Sequence, residues 1–442
     1  AVLQRDRPIP VWGTAVDGQS ITVKLGAVEV TTQAESNGKW IAWLPKRKAA
    51  TELTLAVSSG GERIVIKDIS IGEVWLGSGQ SNMAMSVRGA RDYEQEQQSS
   101  NLPQIRFFKV ENERADHPQS EVQGSWKLSS PDTVGAFSAT GYFFAKQLHR
   151  EMNVPVGVII SAVGGTPIQS WIRKEAQQSI PELEPLLQLL SKRQADIDQE
   201  ALRAKYEKQL SVWRKNAAAA AERGQSPPRK PTEPIAQALR KTDVGGLFNG
   251  KIKPLVPYAI RGVLWYQGEA NTLPETAPFY RYQLPLLIRD WRMHWGNQNL
   301  PVAWAQLPNY KATGRDWPTV RQAMLDTLAV PNTGMAVTID LGETDDIHPK
   351  NKQDVGRRLA RWALADVYGK DVTPMGPVPW KTQRDGRAID VTFRYSGDGL
   401  RWKSAEVTAG FEVQDASGKW LPATARLRDD RTVRVSHEDV AE

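Results

Sequence analysis

The chain has 442 residues, of which 40% are hydrophobic and 24% charged, a composition typical of a globular protein with two or three domains. It has no cysteine, which excludes disulfide bonds, thiolate catalysis and cysteine-ligated zinc or iron–sulfur sites. No apolar run is long enough to span a membrane. The sequence starts at Ala1 without a methionine or a signal peptide, which indicates a processed start. We expect a location outside the cytoplasm of a bacterium, in the periplasm or secreted.

The formal net charge of +7 is concentrated in one stretch of the chain. Residues 192–241 contain twelve lysines and arginines and six acidic residues. The charges of both signs are interleaved among helix-forming residues, and a proline-rich segment follows. This pattern predicts a solvated helix and an extended connector. Such a helix accounts for the charge better than a phosphate-tracking surface does, so we expect no nucleic-acid partner.

Short segments that alternate apolar and polar residues make up the first 70 residues of the chain. The same texture returns at 383–438 and includes the stretch AEVTAGFEVQD at 405–415. Such segments, rich in β-branched and aromatic residues and separated by turn signals, predict antiparallel strands. We therefore assign residues 1–70 and 373–442 to β-structure.

A different pattern, in which strands and helices alternate, occupies residues 71–372. The predicted strands lie at 71–76, 105–110, 156–162, 260–266, 302–307 and 335–340. Helical spacing of apolar residues predicts helices at 137–152 and 284–295, and the charged stretch becomes a helical insertion at about 175–245. This alternation predicts an α/β domain with a parallel sheet covered by helices on both faces. Ligands then bind at the carboxyl ends of the strands.

Polar residues and glycines follow the predicted strands at the edge where a ligand would bind. In chain order they are Ser81, then Gly164 and Gly165, then Gln267 and Glu269, and then Asp345, Asp346 and His348. Ester hydrolysis needs a nucleophile, a base, a group that orients the base, and oxyanion donors. All four kinds of group are present at these strand ends.

Ser81 and His348 are the central pair of this set. Ser81 follows an apolar strand in VWLGSGQSNM, where glycines allow the sharp turn that lifts a nucleophile off a sheet edge. Of the five histidines, only His348 is in a strand-to-helix loop beside carboxylates. Pro349 suits the first position of a following helix, so His348 as a simple helix cap is the alternative.

The motifs together resemble the SGNH hydrolase superfamily and, within it, the sialate O-acetylesterase-like carbohydrate esterases. The resemblance covers nearly the whole chain and is carried by VLQRDRPIPVWGTA, GEVWLGSGQSNM, GGTPIQSW, LFNGKIKPLVPYAIRGVLWYQGEAN and DIHPKNKQDVGRRLA. It implies a three-layer α/β/α, flavodoxin-like domain. It also implies a small antiparallel β-sandwich domain built from both chain ends.

The resemblance also implies roles for individual residues. Ser81 corresponds to the nucleophile and His348 to its base. Gly164, Gly165 and Gln267 correspond to oxyanion contributors, alongside the backbone N–H of Ser81. Asn249, in LFNG, matches a recurrent family position, and we assign it with Glu269 to substrate binding.

Two positions depart from the superfamily pattern. Gln267 stands where the superfamily offers an asparagine. The superfamily places its aspartate three residues before the histidine, which is Asp345 here, whereas the closer family often reads DIHP, which points to Asp346. We favour Asp345 and keep Asp346 as the alternative.

The sequence thus predicts a carbohydrate O-acetylesterase that needs no cofactor or metal. The resemblance implies that its substrates are acetylated oligo- or polysaccharides, either plant hemicelluloses such as xylan and xyloglucan or sialic acids. Arg88 and Arg321 are candidates to bind a sialate carboxylate. Two other readings are a glycosidase with Glu269 and Asp345 as its carboxylate pair, and a non-catalytic glycan-binding protein on the same fold.

Overall fold

The computed structural model describes residues 1–231, 233–402 and 410–440. They form two compact units, Ala1–Ala360 and Arg361–Glu442. The first part of the strand segment predicted at 405–415 lies outside the described residues. Among the described helices, none combines the length and apolar character that crossing a membrane requires.

The bounds of the regular elements are as follows. The strands are β1 (Val2–Gln4), β2 (Ile9–Thr14), β3 (Ser20–Leu25), β4 (Val28–Gln33), β5 (Lys39–Leu44), β6 (Ala50–Ser59), β7 (Glu62–Gly79), β8 (Leu102–Lys109), β9 (Trp126–Ser129), β10 (Val156–Ala162), β11 (Gly262–Tyr266), β12 (Val302–Ala305), β13 (Thr333–Ala336), β14 (Val378–Asp385), β15 (Ala388–Arg394), β16 (Glu412–Gln414), β17 (Trp420–Pro422), β18 (Thr424–Leu427) and β19 (Thr432–Ser436). The α-helices are α1 (Ser81–Ala84), α2 (Tyr93–Gln98), α3 (Ala139–Met152), α4 (Lys174–Gln178), α5 (Glu184–Ala195), α6 (Gln199–Glu222), α7 (Pro234–Thr242), α8 (Tyr280–His294), α9 (Trp317–Asp326) and α10 (Lys352–Trp362).

The parallel sheet that the sequence predicts is present. Its strands run in the order β13-β12-β11-β7-β10-β8, and every neighbouring pair is parallel. The short β9 pairs antiparallel at the β8 edge. All six predicted strands occur, with bounds shifted by several residues in some cases. The α/β fold class is therefore confirmed.

Strand β7 is longer than predicted and serves two sheet regions. Residues 62–71 pair antiparallel with β6, whereas 73–79 pair in parallel with β10 and β11. At the start of the parallel region, the buried carboxylate of Glu73 pairs with Arg5 at 2.5 Å and Arg261 at 2.7 Å. The predicted boundary at residue 70 consequently falls inside one continuous strand.

Helices pack on both faces of the sheet because side chains alternate along each strand. Val74 and Leu76 share a buried cluster with residues of α8 and α9. Trp75, which points the other way, packs edge-on against Phe144 of α3 with ring centroids 5.0 Å apart. On that same side α10 crosses α3 at Gly356, where a Cβ atom would lie 2.6 Å from the Cβ of Phe143.

Helices α4 to α7 occupy the stretch for which we predict a helical insertion, at about 175–245. In α5, Leu186 and Leu190 are buried in the main core cluster. Along the 24 residues of α6 only Leu210 and Ala220 are buried, as expected for a helix of interleaved charges.

The second unit contains antiparallel β-structure. Its strands run in the order β14-β15-β19-β18, and β16 pairs with β17. Val413, Ala425, Val433 and Val435 are in its buried core. In the first unit, β1, β3, β4 and β6 extend the sheet of β7, and β2 pairs with β5. A single domain built from both chain ends stays a prediction.

Candidate active site

Ser81 follows a turn that only glycine permits. Strand β7 ends at Gly79, whose φ of +130° belongs to the region that favours glycine. A Cβ atom there would lie 2.2 Å from the carbonyl oxygen of Tyr266, at the end of the neighbouring β11. The chain then turns at Gln80, and Ser81 begins α1. The sheet edge thus presents the Ser81 side chain, as the sequence predicts.

His348 reaches Ser81 from the loop between β13 and α10. Its Nε2 atom lies 2.8 Å from the Oγ atom of Ser81. The helix after this loop begins at Lys352, so the prediction that Pro349 starts it is wrong. Because His348 is four residues ahead of the helix, the helix-cap alternative loses its basis.

Asp346, rather than Asp345, is the carboxylate beside His348. The Oδ1 atom of Asp346 lies 3.8 Å from Nδ1 of His348 and accepts the backbone N–H of His348 at 2.8 Å. Asp345 is exposed and, in the described part of the chain, forms no hydrogen bond or ion pair with His348. Of the two acids, Asp346 is therefore the one whose carboxylate lies near the imidazole, and its role as the orienting acid stays a prediction.

Gly164 lies directly beside the serine, after β10. A Cβ atom on Gly164 would lie 3.5 Å from the Cβ of Ser81. Among the described residues, the N–H of Gly164 has no backbone acceptor. Ser81, as the first residue of α1, has no intrahelical acceptor for its own N–H. These two N–H groups are available to an oxyanion, whereas the next residue, Gly165, contributes a turn with φ of +70°.

Gln267 does not offer a free donor to the site, contrary to the expectation. Its side-chain nitrogen donates to the carbonyl oxygen of Thr166 at 3.1 Å and to Oδ1 of Asn271 at 2.7 Å. Its side-chain oxygen accepts from the hydroxyl of Tyr280 at 3.1 Å. Both amide hydrogens are used, so Gln267 stabilises the loop after β10 rather than an oxyanion.

Asn249 also lies elsewhere. Its Nδ2 donates to the carbonyl oxygens of Ala115 at 3.3 Å and Asp116 at 3.1 Å. It borders a cavity that does not include Ser81. The structure thus gives Asn249 a role in holding a loop and does not bring it to the serine.

A buried polar network connects the residue after Ser81 to the histidine loop. Asn82 donates to Oε1 of Glu269 at 2.5 Å and to the carbonyl oxygen of Ile347 at 3.0 Å. Its own Oδ1 accepts from Nζ of Lys352 at 2.8 Å, and Lys352 also donates to the carbonyl oxygen of Pro349 at 2.6 Å. The network fixes both sides of His348, which lies between Ile347 and Pro349.

Burial shifts the pKa values of the two charged members of this network. It lowers the pKa of Lys352 to about 8, against the opposing attraction of Glu269. Burial raises the pKa of Glu269, although the hydrogen bond from Asn82 and the charge of Lys352 act in the other direction. Among the described residues, the second carboxylate oxygen of Glu269 has no hydrogen-bond partner.

Ser81 opens into a cavity of about 760 Å³, which we call the Ser81 cavity. The strand ends contribute Ser81, Gly164, Gly165, Glu269, Asn271 and His348, and the insertion contributes Leu190, Arg193, Ile197, Ala238, Lys241 and Thr242. Arg315 completes a set of three cationic side chains with Arg193 and Lys241. The wall includes Glu269 but not Asp345, so a glycosidase pair of these two carboxylates is not assembled.

The two arginines suggested for a sialate carboxylate lie outside this wall. Arg321 donates to the carbonyl oxygens of Leu307 at 2.9 Å and Pro308 at 2.8 Å. Arg88 lies over the ring of Tyr93, 5.9 Å from its centroid. Neither guanidinium is therefore placed to bind a ligand beside Ser81.

Sequence reasoning missed Asn82, Lys352 and the cationic residues of the Ser81 cavity. A signal for Lys352 exists, because it shares helical spacing with buried Val355 and Leu359. A lysine on the apolar face of a helix must find acceptors inside the protein. The three cationic residues of the Ser81 cavity, Arg193, Lys241 and Arg315, gave no such signal, since they come from distant parts of the chain.

Known proteins resemble this chain in both sequence and structure. A family model described as carbohydrate esterase, sialic acid-specific acetylesterase, matches residues 71–203 and 247–365. These ranges contain Ser81 and His348 and leave out most of α6 and all of α7. The sialate O-acetylesterase of Rattus norvegicus is 27% identical over 470 residues, which cover 96% of this chain and 82% of the rat protein. The human sialate O-acetylesterase is 27% identical over 459 residues, with 94% and 78% covered.

A solved structure matches the whole fold. A carbohydrate acetylesterase from Xanthomonas citri superposes with a TM-score of 0.81 and 33% sequence identity. The match covers 100% of this chain and 90% of the Xanthomonas protein.

Proposed function

The chain belongs to the carbohydrate esterase family of sialic acid-specific acetylesterases, and we propose that it removes O-acetyl groups from glycans with Ser81 as the nucleophile. The observation that carries this proposal is the 2.8 Å contact between Nε2 of His348 and Oγ of Ser81 at the Ser81 cavity. A serine within hydrogen-bond reach of a histidine, which is itself next to a carboxylate, is the arrangement of an activated nucleophile.

The first half of the reaction transfers the acetyl group to Ser81. Its Oγ attacks the carbonyl carbon of the ester while Nε2 of His348 takes the hydroxyl proton. The negative oxygen of the tetrahedral intermediate accepts hydrogen bonds from the N–H groups of Ser81 and Gly164. His348 then returns the proton to the sugar oxygen as the carbon–oxygen bond breaks. The glycan leaves with a free hydroxyl.

The second half releases acetate. A water molecule gives its proton to Nε2 of His348 and attacks the acetyl carbonyl carbon, and Oγ of Ser81 regains a proton as it departs. In this proposal Asp346 keeps the proton of neutral His348 on Nδ1, so that Nε2 faces Ser81 as an acceptor.

The substrate is proposed to be an acetylated oligo- or polysaccharide, with sialic acids and plant hemicelluloses as the two candidate classes. Acetate release should be measured on O-acetylated sialosides, acetylated xylan and acetylated xyloglucan. The alternative, a glycan-binding protein without activity, is tested first with p-nitrophenyl acetate. Absence of p-nitrophenol release would refute the esterase proposal. A location outside the cytoplasm of a bacterium remains a prediction.

A further inference from the structure

A second, larger cavity lies next to the Ser81 cavity. This distal cavity measures about 1010 Å³, at the upper end of volumes typical of ligand sites. Helices α4, α5 and α7 and the loops around residues 114–116 and 243–249 form its wall. Leu190 of α5 and Thr242 of α7 line both cavities. A molecule longer than one sugar could therefore contact both sites at once.

Side-chain amides make up most of the uncharged polar wall of the distal cavity. Four glutamines from the insertion line it, namely Gln178, Gln188, Gln194 and Gln199. Among the described residues, the side chains of Gln178 and Gln194 make no hydrogen bond within the protein. Amides both donate and accept hydrogen bonds, as sugar hydroxyls do. Apolar side chains such as Leu187 and Leu239 lie between the amides and offer contact to the C–H faces of a sugar ring.

The charges in the distal cavity nearly balance, with two cations, Arg114 and Lys174, and three carboxylates, Asp116, Glu184 and Asp243. Arg114 pairs with Asp116 at 2.7 Å and with Asp243 at 3.1 Å, and Glu184 accepts from the amide of Gln188 at 3.1 Å. In the Ser81 cavity the wall contains three cations and Glu269, and Arg193 pairs with Glu275 at 2.6 Å, so Lys241 and Arg315 supply its excess positive charge. Compensated charges and free amides suit an uncharged polar ligand.

Asp243 is a buried member of the wall of the distal cavity. Its side chain is only 4% exposed, and one carboxylate oxygen is paired with Arg114. The other oxygen, Oδ2, has no partner among the described residues. Because Oδ2 has almost no accessible surface, a ligand in the distal cavity does not contact it, and burial raises the pKa of Asp243 against the opposing charge of Arg114. The part of the wall that a ligand can contact is therefore formed by the amides and the apolar side chains.

We propose that the distal cavity binds uncharged sugar residues of the same glycan whose acetylated residue occupies the Ser81 cavity. This inference rests on the proposed function, because it makes the distal cavity an extension of the esterase site. It predicts that longer glycans bind more tightly than short ones with the same acetyl group.

The test removes the free amides without touching the Ser81 cavity. The double variant Gln178→Ala/Gln194→Ala is compared with Gln209→Ala/Gln225→Ala, a matched control whose exposed glutamines line neither cavity. The substrates are paired by length: acetylated xylobiose with acetylated xylohexaose, and free O-acetyl sialic acid with O-acetyl sialyllactose. We expect the wild type and the control to prefer the longer member of at least one pair. The Gln178→Ala/Gln194→Ala variant should raise KM for that longer member about three- to tenfold, with kcat and the rate on p-nitrophenyl acetate unchanged.

Two results would overturn the inference: no length preference in either pair for the wild type, or equal KM changes for the two double variants. Either can occur while p-nitrophenyl acetate is still hydrolysed, which leaves the esterase proposal intact. In the reverse case, the esterase proposal fails but the distal cavity still binds sugar. Isothermal titration calorimetry detects this case because it measures binding without turnover. The longer glycans are titrated into Ser81→Ala protein and into Ser81→Ala/Gln178→Ala/Gln194→Ala protein. Weaker binding in their absence would support the distal cavity even if the esterase proposal failed.

Discussion

The imidazole of His348 lies 2.8 Å from the hydroxyl of Ser81, although 267 residues separate them in the chain. The parallel sheet brings them together, since β7 and β13 both end at the edge where Ser81 and the histidine loop emerge. The loop is then held by hydrogen bonds from Asn82 and Lys352 to the carbonyl oxygens on either side of His348. The sheet supplies the proximity and the buried network supplies the alignment.

The nucleophile is tested by Ser81→Ala. Removing one oxygen from a partly exposed side chain should leave the fold intact. Turnover of p-nitrophenyl acetate should fall on the order of 10⁴-fold or more, because the attacking atom is lost. Steady-state kinetics, with circular dichroism as the folding control, measure the effect. Retention of more than a few per cent of wild-type kcat would refute the assignment.

The orienting acid is tested by Asp346→Asn against Asp345→Asn. Asparagine at 346 can still accept the backbone N–H of His348 but loses the charge near Nδ1, so kcat should fall about 10²-fold or more. Asp345→Asn should change kcat less than about threefold, because that side chain is exposed and away from the ring. The reverse ranking would return the role to Asp345. Equal small effects would indicate a serine–histidine dyad.

The cationic side chains of the Ser81 cavity predict that KM depends on the charge of the substrate. Lys241 and Arg315 are exposed in the Ser81 cavity, so an acetylated sugar that carries a carboxylate should bind better at low ionic strength. Lys241→Ala should raise KM for O-acetyl sialic acid about two- to fivefold and leave KM for acetylated xylobiose unchanged. Lys215→Ala, a lysine of α6 outside the cavity wall, is the control. Equal KM shifts on both substrates would contradict a charge effect.

The parts of this protein that follow from local pattern could be predicted from its sequence. Strand–helix alternation predicts the parallel sheet, and the glycine turn places Ser81 at the edge where its strands end. His348 is predicted at the same edge because it follows the last strand of that sheet. The direction of a side chain does not follow. Gln267 occupies the expected position at the end of β11, but its amide hydrogens bond to Thr166 and Asn271.

The sequence also does not determine which of the two neighbouring acids lies beside His348. Asp345 and Asp346 differ by one position, and the backbone hydrogen bond from His348 decides which carboxylate lies beside the ring. Asn249 matches a recurrent motif, yet its side-chain nitrogen bonds to the loop at 115–116 and the residue lies outside the wall of the Ser81 cavity. In each case three-dimensional contacts between distant segments determine the role.

Lys352 is predicted to act as a positioning residue. Lys352→Met keeps the length of the side chain but removes the donors to Asn82 and Pro349, so His348 loses its alignment. We expect kcat on p-nitrophenyl acetate to fall about 10- to 100-fold while KM changes little. Lys350→Met, an exposed lysine in the same loop, is the control. Wild-type kcat in Lys352→Met would show that the network contributes nothing to catalysis.

The same lysine should make stability depend on pH in a defined window. Burial lowers the pKa of Lys352 to about 8 in the folded protein, whereas in the unfolded chain it has the ordinary lysine value of about 10.4. Between these two values the unfolded chain binds more protons than the folded one, so this group makes the free energy of unfolding rise with pH. Lys352→Met abolishes that contribution, and the titrating groups that do not interact with Lys352 cancel when the two proteins are compared.

Urea unfolding of the first unit should therefore be measured for the wild type and Lys352→Met at about pH 7.5 and about pH 9.5. The wild type should gain about 2 kcal/mol relative to the variant over this interval, since the cost of burying the charged amine disappears as it deprotonates. Lys350→Met should track the wild type at both pH values. If the difference in the free energy of unfolding between wild type and Lys352→Met stays constant with pH, the pKa of Lys352 is the same in the folded and unfolded protein. That result would contradict a buried, desolvated amine at Lys352.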